Sequence, residues 1–298
     1  MGVKSKQEKA FNVAAHIVLI FLSLLALIPF WLLVASSLME ESAVTTKGYQ
    51  FWPTEFSTAA YKYIFNQFDQ IGRAYGVTVL VTVIGTVGAI LIVAMFAYGL
   101  IQKNVPGVKV IFILVLITML FSGGIVPTYY VYTNVLHMKN TIWALILPNL
   151  LMNSFNVILV KNYFQNSIPS ELLEAAEVDG ANHFKIVFQI VMPLGKPILA
   201  TVGLLAGVAY WNDWNNGLYY ITDAKLYSIQ QLLNKMNDNI QFLANNATTL
   251  GSTVTAGNTP SATIRMAIAV VAILPILIAY PFFQKYFAKG ITMGAVKG

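Results

Sequence analysis

Cysteine is absent from this 298-residue chain. That excludes a disulfide framework, a thiolate-held iron–sulfur cluster and a thiol nucleophile. Histidine is scarce: His16, His137 and His183 are scattered, no two have the spacing of metal ligands, and no metal site is expected. Charge is scarce as well. Asp, Glu, Lys and Arg together make up 10% of the residues, against about 25% in an ordinary soluble domain. So few charges cannot cover a water-facing surface, so most of the exterior must face lipid. A phosphate loop of the form G-x-x-x-x-G-K-[ST] is missing, so no nucleotide site of that kind and no cofactor is expected on this chain. No pair of carboxylates or histidines suggests an enzyme.

Apolar residues make up 57% of the chain, the mean hydropathy is +0.67, and the net charge is +6. In a soluble protein that charge would point to nucleic acid. Here it is read as basic residues held beside cytoplasmic membrane ends, with no nucleic-acid partner. Charge-free runs cover residues 10–39, 74–102, 110–138, 140–160 and 266–284, and a sixth, 197–220, is broken only by Asp213. Since about 20 apolar residues cross the hydrocarbon as a helix, the expected fold is an all-α membrane protein of six transmembrane helices. The first run is much longer than the ~7–15-residue core of a signal peptide, so it is expected to remain as the first helix. An even count puts both termini on one side. With the N-terminus inside, the inner segments hold the basic excess: Lys4, Lys6 and Lys9; Lys103 and Lys109; Lys161, Lys185 and Lys196; Lys285, Lys289 and Lys297. Both termini are therefore expected in the cytoplasm. Two outer segments are long, residues 40–73 and 222–264, and the Asn/Thr/Ser/Gly-rich stretch Ala244–Thr263 reads as a flexible surface loop.

One inner segment is also long, and within it residues 165–195 carry the clearest local pattern. Ser167 or Ser170 can cap a first short helix that has Pro169 near its start and Glu171 in its first turn. Leu172, Leu173 and Ala176 form an apolar stripe, while Glu171, Glu174 and Glu177 recur at three-residue steps. Gly180 can take the left-handed conformation that ends a helix. Phe184, Val187, Phe188 and Val191 then follow the i, i+3, i+4, i+7 spacing of a second amphipathic helix, and Pro193 and Pro197 end it and start the fifth span. A helix–turn–helix of this kind could lie on lipid, but three carboxylates would face an anionic leaflet, which favours docking to a protein.

Glu174-Ala175-Ala176, then Gly180 four residues on, then Ile190-Val191-Met192-Pro193, resembles the EAA motif of ABC importer permeases. That motif reads E-A-A, three residues, G, nine residues, I-x-L-P. Every spacing matches, and Met192 stands where the pattern has Leu. The segment Phe283-Gln284-Lys285-Tyr286-Phe287, with Lys289-Gly290 and the ending Gly294–Gly298, resembles carbohydrate permeases of the maltose-type second-subunit class. Phe121–Tyr129 is similar to the subgroup associated with complex oligosaccharides, such as those derived from pectin or alginate. The resemblance implies a type I ABC importer permease fold in which residues 1–298 form one transmembrane permease domain of a bacterial cell membrane, with the coupling loop at 165–195. It implies import of oligosaccharides with a homologous second permease subunit, two cytoplasmic ATPase subunits and an extracytoplasmic solute-binding protein. It also implies that Glu174, Ala175, Ala176, Asp179 and Gly180 form the element that couples to the ATPase.

The sequence Tyr210-Trp211-Asn212-Asp213-Trp214-Asn215-Asn216 is the other unusual site. A carboxylate within a span normally faces a partner group or a water-filled cavity. Trp211, Asn212, Asp213 and Trp214 combine stacking faces with hydrogen-bonding groups, as a sugar pathway requires, and the family has a similar element here. An aromatic belt at the outer interface explains the same residues equally well. On one helix Trp211 and Trp214 would share a face, as would Asn212 and Asn215. Asn149, Asn153 and Asn156 would likewise share a face of the fourth span, lining a pore or bonding helix to helix. The alternative function, an ion-coupled secondary carrier, needs inverted repeats or several buried ionisable groups, and only Asp213 is present. The six-span topology predicts that a single cysteine introduced at Thr255 reacts with an impermeant maleimide in intact cells. Reaction only after permeabilisation overturns it.

Overall fold

The computed structural model of the protein describes residues 6–102, 105–148, 150–246 and 262–295. The expectations for Lys103, Asn149, residues 247–261 and Val296–Gly298 lie outside that set. Helices follow one another along the chain: α1 (Lys6–Ser37), α2 (Glu41–Lys47), α3 (Ala59–Asn66), α4 (Phe68–Ile101), α5 (Val108–Leu120), α6 (Ile125–Tyr130, continued by a π turn at Val131–Val135), α7 (Trp143–Ile146) and α8 (Ser154–Ser167). Then come α9 (Ser170–Val178), α10 (His183–Ile186, continued by a π turn at Val187–Val191), α11 (Met192–Leu194), α12 (Lys196–Trp211), α13 (Asn215–Tyr220), α14 (Ile229–Asn246) and α15 (Ala262–Ala295). The all-α expectation holds among the described residues.

Two single helices are long and apolar enough to cross a membrane: Phe11–Ser37 and Phe68–Ile101. The third charge-free run, expected as one span, is a bent pair. Val108–Leu120 and Ile125–Val135 meet at 113°, because Gly124 takes φ 80° and the Ser122 hydroxyl accepts the Gly124 N–H instead of a helical carbonyl doing so. The fourth run is broken too. Pro148 follows α7, and proline has no backbone donor with which to continue the helical ladder. Asn153, in extended backbone, then starts α8 by accepting the Asn156 N–H at 3.2 Å. Asn153 and Asn156 therefore do not share a face of one continuous helix. Asn153 is a cap, and Asn156 is buried.

The chain divides into two compact units, Met1–Phe68 with Lys235–Leu274, and Asp69–Asn234 with Pro275–Gly298. In the first unit the middle of α1 is apolar all round and uncovered, and only its end, at Ala35, Ser36 and Ser37, is buried. Its Trp31 indole N–H donates to the Phe51 carbonyl at 2.9 Å, and the Trp31 and Trp52 rings meet edge to face at 5.6 Å. The Glu41 carboxylate caps α15. One oxygen accepts the Ala262 N–H at 2.9 Å; the other accepts the Thr263 N–H at 3.0 Å and its hydroxyl at 2.7 Å. The stretch expected to be a flexible loop from Ala244 to Thr263 is thus helical at both ends, since α14 reaches Asn246 and α15 begins at Ala262.

The second unit has two apolar clusters along α4. One gathers Val93, Ala97 and Tyr98 of α4 with Phe164 of α8, Ile186 of α10 and Val202 of α12. The other gathers Val81 of α4 with Ile146 of α7, Tyr210 of α12 and Tyr220 of α13, where Tyr129 stacks on Tyr220 at 5.8 Å. Gly85 lets α4 and α12 approach, because a Cβ there would collide with the Tyr210 ring. The Tyr210 hydroxyl in turn donates to the Ile146 carbonyl at 2.9 Å.

Glu41→Ala strips the α15 N-terminus of three bonds. Cap losses cost about 1–2 kcal/mol, so the thermal midpoint of the purified protein should fall by several degrees. An unchanged midpoint would show that the cap adds nothing.

Candidate functional site

Pro169, rather than a serine, occupies the cap position of α9, and no side chain caps this helix. Its backbone, φ −60° and ψ 132°, suits proline's fixed ring. At the other end Gly180 takes φ 78°, as its place in the pattern requires. The Ala181 N–H donates to the Ala176 carbonyl at 2.9 Å, and the Gly180 N–H to the Glu177 carbonyl at 3.0 Å. These two bonds form the Schellman closure of a helix C-terminus. Nothing lies within 4 Å of a Cβ built on Gly180, so the demand is on backbone angle rather than space.

The motif residues divide between two faces. Glu171, Glu174, Ala175 and Val178 form one exposed stripe, and Val178 is 87% exposed. Asp179 and Gly180 are exposed at the turn. Ala176 is buried among the apolar cluster around α4, with Leu173 packed beside it, while Leu172 is exposed. The second half differs from the simple amphipathic expectation. The Asn182 side chain accepts the Lys185 N–H at 2.8 Å and starts α10, a cap signalled by an asparagine directly before the apolar repeat. The π turn at Val187–Val191 then widens the helical step. Val187 and Val191 stay buried, with Ile186 joining them, while Phe184 and Phe188 are turned outward. The chain bends by 85° between α11 and α12, at Gly195, where a Cβ would come within 2.6 Å of the Phe164 ring. Pro193 therefore sits inside the final short helix, and only Pro197 starts the next one.

The Trp-Asn-Asp-Trp element does not continue the helix. α12 ends at Trp211, and the Asp213 carboxylate accepts the N–H groups of Asn215 at 3.1 Å and Asn216 at 3.3 Å, so it starts α13. Trp211 and Trp214 consequently share no helical face, and neither do Asn212 and Asn215. Trp211 is buried near the Tyr75 ring, with centroids 6.4 Å apart, whereas Trp214 is 41% exposed. The Asn212 amide donates back to the Val208 carbonyl at 2.9 Å, and the Asn216 amide donates to the Pro148 carbonyl at 3.2 Å.

Trp211 lines a cavity of about 420 Å³ between α4, α12 and α15 with Thr82, Thr86, Gly203, Gly207 and Pro275. Asn212, Asp213, Trp214 and Asn153 do not line it. Its walls are mainly apolar, but the Thr82 and Thr86 hydroxyls are buried without a hydrogen-bond partner, as is the Tyr75 hydroxyl. Tyr75, Thr78, Thr82 and Thr86 fall at three- and four-residue steps on α4. That spacing is visible in the sequence, though nothing there shows what the hydroxyls face. Among the described residues no cluster of His, Asp or Glu could hold a metal ion.

The profile of a family described as binding-protein-dependent transport system inner membrane component matches residues 94–293. A polygalacturonan/rhamnogalacturonan transport system permease protein of Bacillus subtilis (strain 168) is 39% identical over 292 residues, covering 98% of this chain and 100% of its own length. The protein LplC of the same organism is 36% identical over 294 residues, covering 99% of this chain and 97% of its own. Among solved structures, a chain from a bacterial ABC transporter involved in the import of the acidic polysaccharide alginate superimposes with a TM-score of 0.79. It is 29% identical, and the match covers 96% of this chain and 100% of that one.

Asp213→Asn keeps an acceptor for the start of α13 and should leave the thermal midpoint unchanged, whereas Asp213→Ala should lower it by the equivalent of about 1 kcal/mol. Equal midpoints for the two variants would remove the capping role.

Proposed function

The chain belongs to the binding-protein-dependent transport system inner membrane component family, and from that premise we propose that it is the permease subunit of an ATP-driven importer of oligosaccharides, those of acidic plant or algal polysaccharides foremost. The observation that carries this is the loop at 165–195. It combines an exposed stripe of carboxylates and small residues with a left-handed glycine turn, in a chain whose sequence contains no phosphate loop of its own. ATP hydrolysis then belongs to two cytoplasmic ATPase subunits. The permease pair is completed by a homologous subunit, and a solute-binding protein delivers sugar from outside.

In this proposal Glu174, Ala175, Asp179 and Gly180 enter a cleft on the ATPase. The carboxylates meet its basic or amide groups, and Ala175 permits close approach. Ala176 serves from the other side, seating α9 on the membrane core. Both termini are cytoplasmic, and the six apolar runs make six crossings, the third, fourth and fifth of them through broken helices. Trp211 lies beside the sugar pathway, and the exposed Asn212 and Trp214 are open to it. Asp213 and Asn153 act through the backbone they cap. That use of Asp213 as a cap gives no support to an ion-coupled carrier.

Gly180→Val and Glu174→Lys should each lower oligogalacturonide uptake by tenfold or more, in cells supplying the ATPase, partner permease and binding protein, with the amount of permease in the membrane unchanged. Wild-type uptake by either variant sinks the assignment.

A further inference from the structure

The loop at 165–195 is held to the rest of the chain almost entirely by apolar packing. Ala176, Ile186, Val187 and Val191 bury their side chains against α4 and α8. Such contacts are non-directional, and a surface of methyl groups resists separation far better than sliding or rotation. Among the described residues, one side-chain hydrogen bond joins this loop to anything outside it. The Tyr98 hydroxyl and His183 Nδ1 lie 3.1 Å apart, with ring centroids at 6.1 Å and planes tilted by 58°. Either the hydroxyl donates to a bare Nδ1 or an Nδ1–H donates to the hydroxyl oxygen; the link exists in both tautomers.

Its placement is specific. His183 is the first residue of α10, three residues beyond Gly180, so the bond grips the loop beside its turn. Tyr98 is 5% exposed and wedged in the cluster that includes Val93, Ala94 and Ala97 of its own helix, so its hydroxyl has little freedom to follow a loop that moves alone. The same helix carries Thr86 and Thr82 at the cavity. Thr86 lies twelve residues before Tyr98, about 18 Å along the axis at 1.5 Å per residue. The bond thus ties the turn that meets the ATPase to a single unbroken helix whose middle lines the cavity.

We propose that Tyr98 and His183 form a positioning latch that fixes the orientation of the coupling turn on α4, so that displacement of the turn by the ATPase moves α4 with it. The proposal rests on the docking role given above to Glu174 and its neighbours. A net hydrogen bond of ordinary strength favours the latched arrangement by a factor of about five to ten, enough to decide whether the loop moves with α4 or slips over it.

The chain has no cysteine, so two spin labels can be placed uniquely, at Leu172→Cys, an exposed position of α9 outside the docking stripe, and Ile84→Cys on an exposed position of α4. The distance between them is read by pulsed electron resonance in the complete complex, in nanodiscs, without nucleotide and after trapping with ATP and vanadate. The latched protein should give one narrow distribution in both states. Tyr98→Phe and His183→Ala should each broaden it about twofold after trapping, at an unchanged amount of assembled complex. His183→Asn, which keeps a hydrogen-bonding group near the place of Nδ1, should restore the narrow form. A distribution as narrow in Tyr98→Phe and His183→Ala as in the parent overturns the latch while leaving the docking role intact. Glu174→Lys retaining the ATPase subunits at the parent ratio overturns the docking role, and the latch as a coupling device falls with it. The two failures are therefore told apart.

Discussion

In hydrocarbon, a backbone N–H or C=O without a partner costs several kcal/mol, and water is not there to supply one. This chain nevertheless interrupts its apolar runs at 121–124, at 147–148 with 150–153, and at 212–214, and breaks again at 195 just before the fifth run. Each interruption is closed by a particular group. The Ser122 hydroxyl takes the Gly124 N–H, Asn153 takes Asn156, the Gly195 N–H returns to the Val191 carbonyl at 2.7 Å, and Asp213 takes Asn215 and Asn216. The carbonyls freed at the breaks find the Tyr210 hydroxyl, the Asn216 amide and the Gln231 amide, the last bridging Gly217 and Ile221 at 2.7 and 3.1 Å. The polar residues at these breaks are thus engaged in holding broken helices together, while Thr82 and Thr86 on the unbroken α4 are not.

The same requirement explains what the sequence did and did not reveal. The apolar runs, the loop between the fourth and fifth of them, the left-handed Gly180 and the exposed Glu174 and Asp179 were all legible, because each follows from composition or from one residue's backbone preference. The breaks were harder. A count of charges sees Val110–Met138 as one span, yet Gly124 and Ser122 turn it through more than a right angle. The π turn after Ile186 adds an offset that a 3.6-residue count cannot anticipate, so Phe184 and Phe188 changed faces. Asp213 and Asn153 were ambiguous for a chemical reason: a short polar side chain in a span caps a helix with the same oxygen it would offer a ligand.

Both apolar clusters of the second unit are built along α4. The one from Val93 to Leu100 receives the loop at 165–195, and the one at Val81 receives α7, α12 and α13. Along it, Gly85 admits Tyr210, and Thr82 and Thr86 hold hydroxyls at the edge of the cavity without partners. α4 runs for 34 residues without a break, whereas the third, fourth and fifth apolar runs are bent or interrupted.

The turn at Gly180 has a genetic corollary. Every single-nucleotide change in a glycine codon that yields another amino acid adds a Cβ, and of those products only aspartate visits the left-handed region with any ease. Asparagine, the usual stand-in, lies two nucleotide changes away. There is open space around this glycine, so volume would tolerate many residues; the backbone angle tolerates few. Drift at this position has no smooth path, and the turn should persist in descendants of this gene even where the surrounding carboxylates are exchanged or lost.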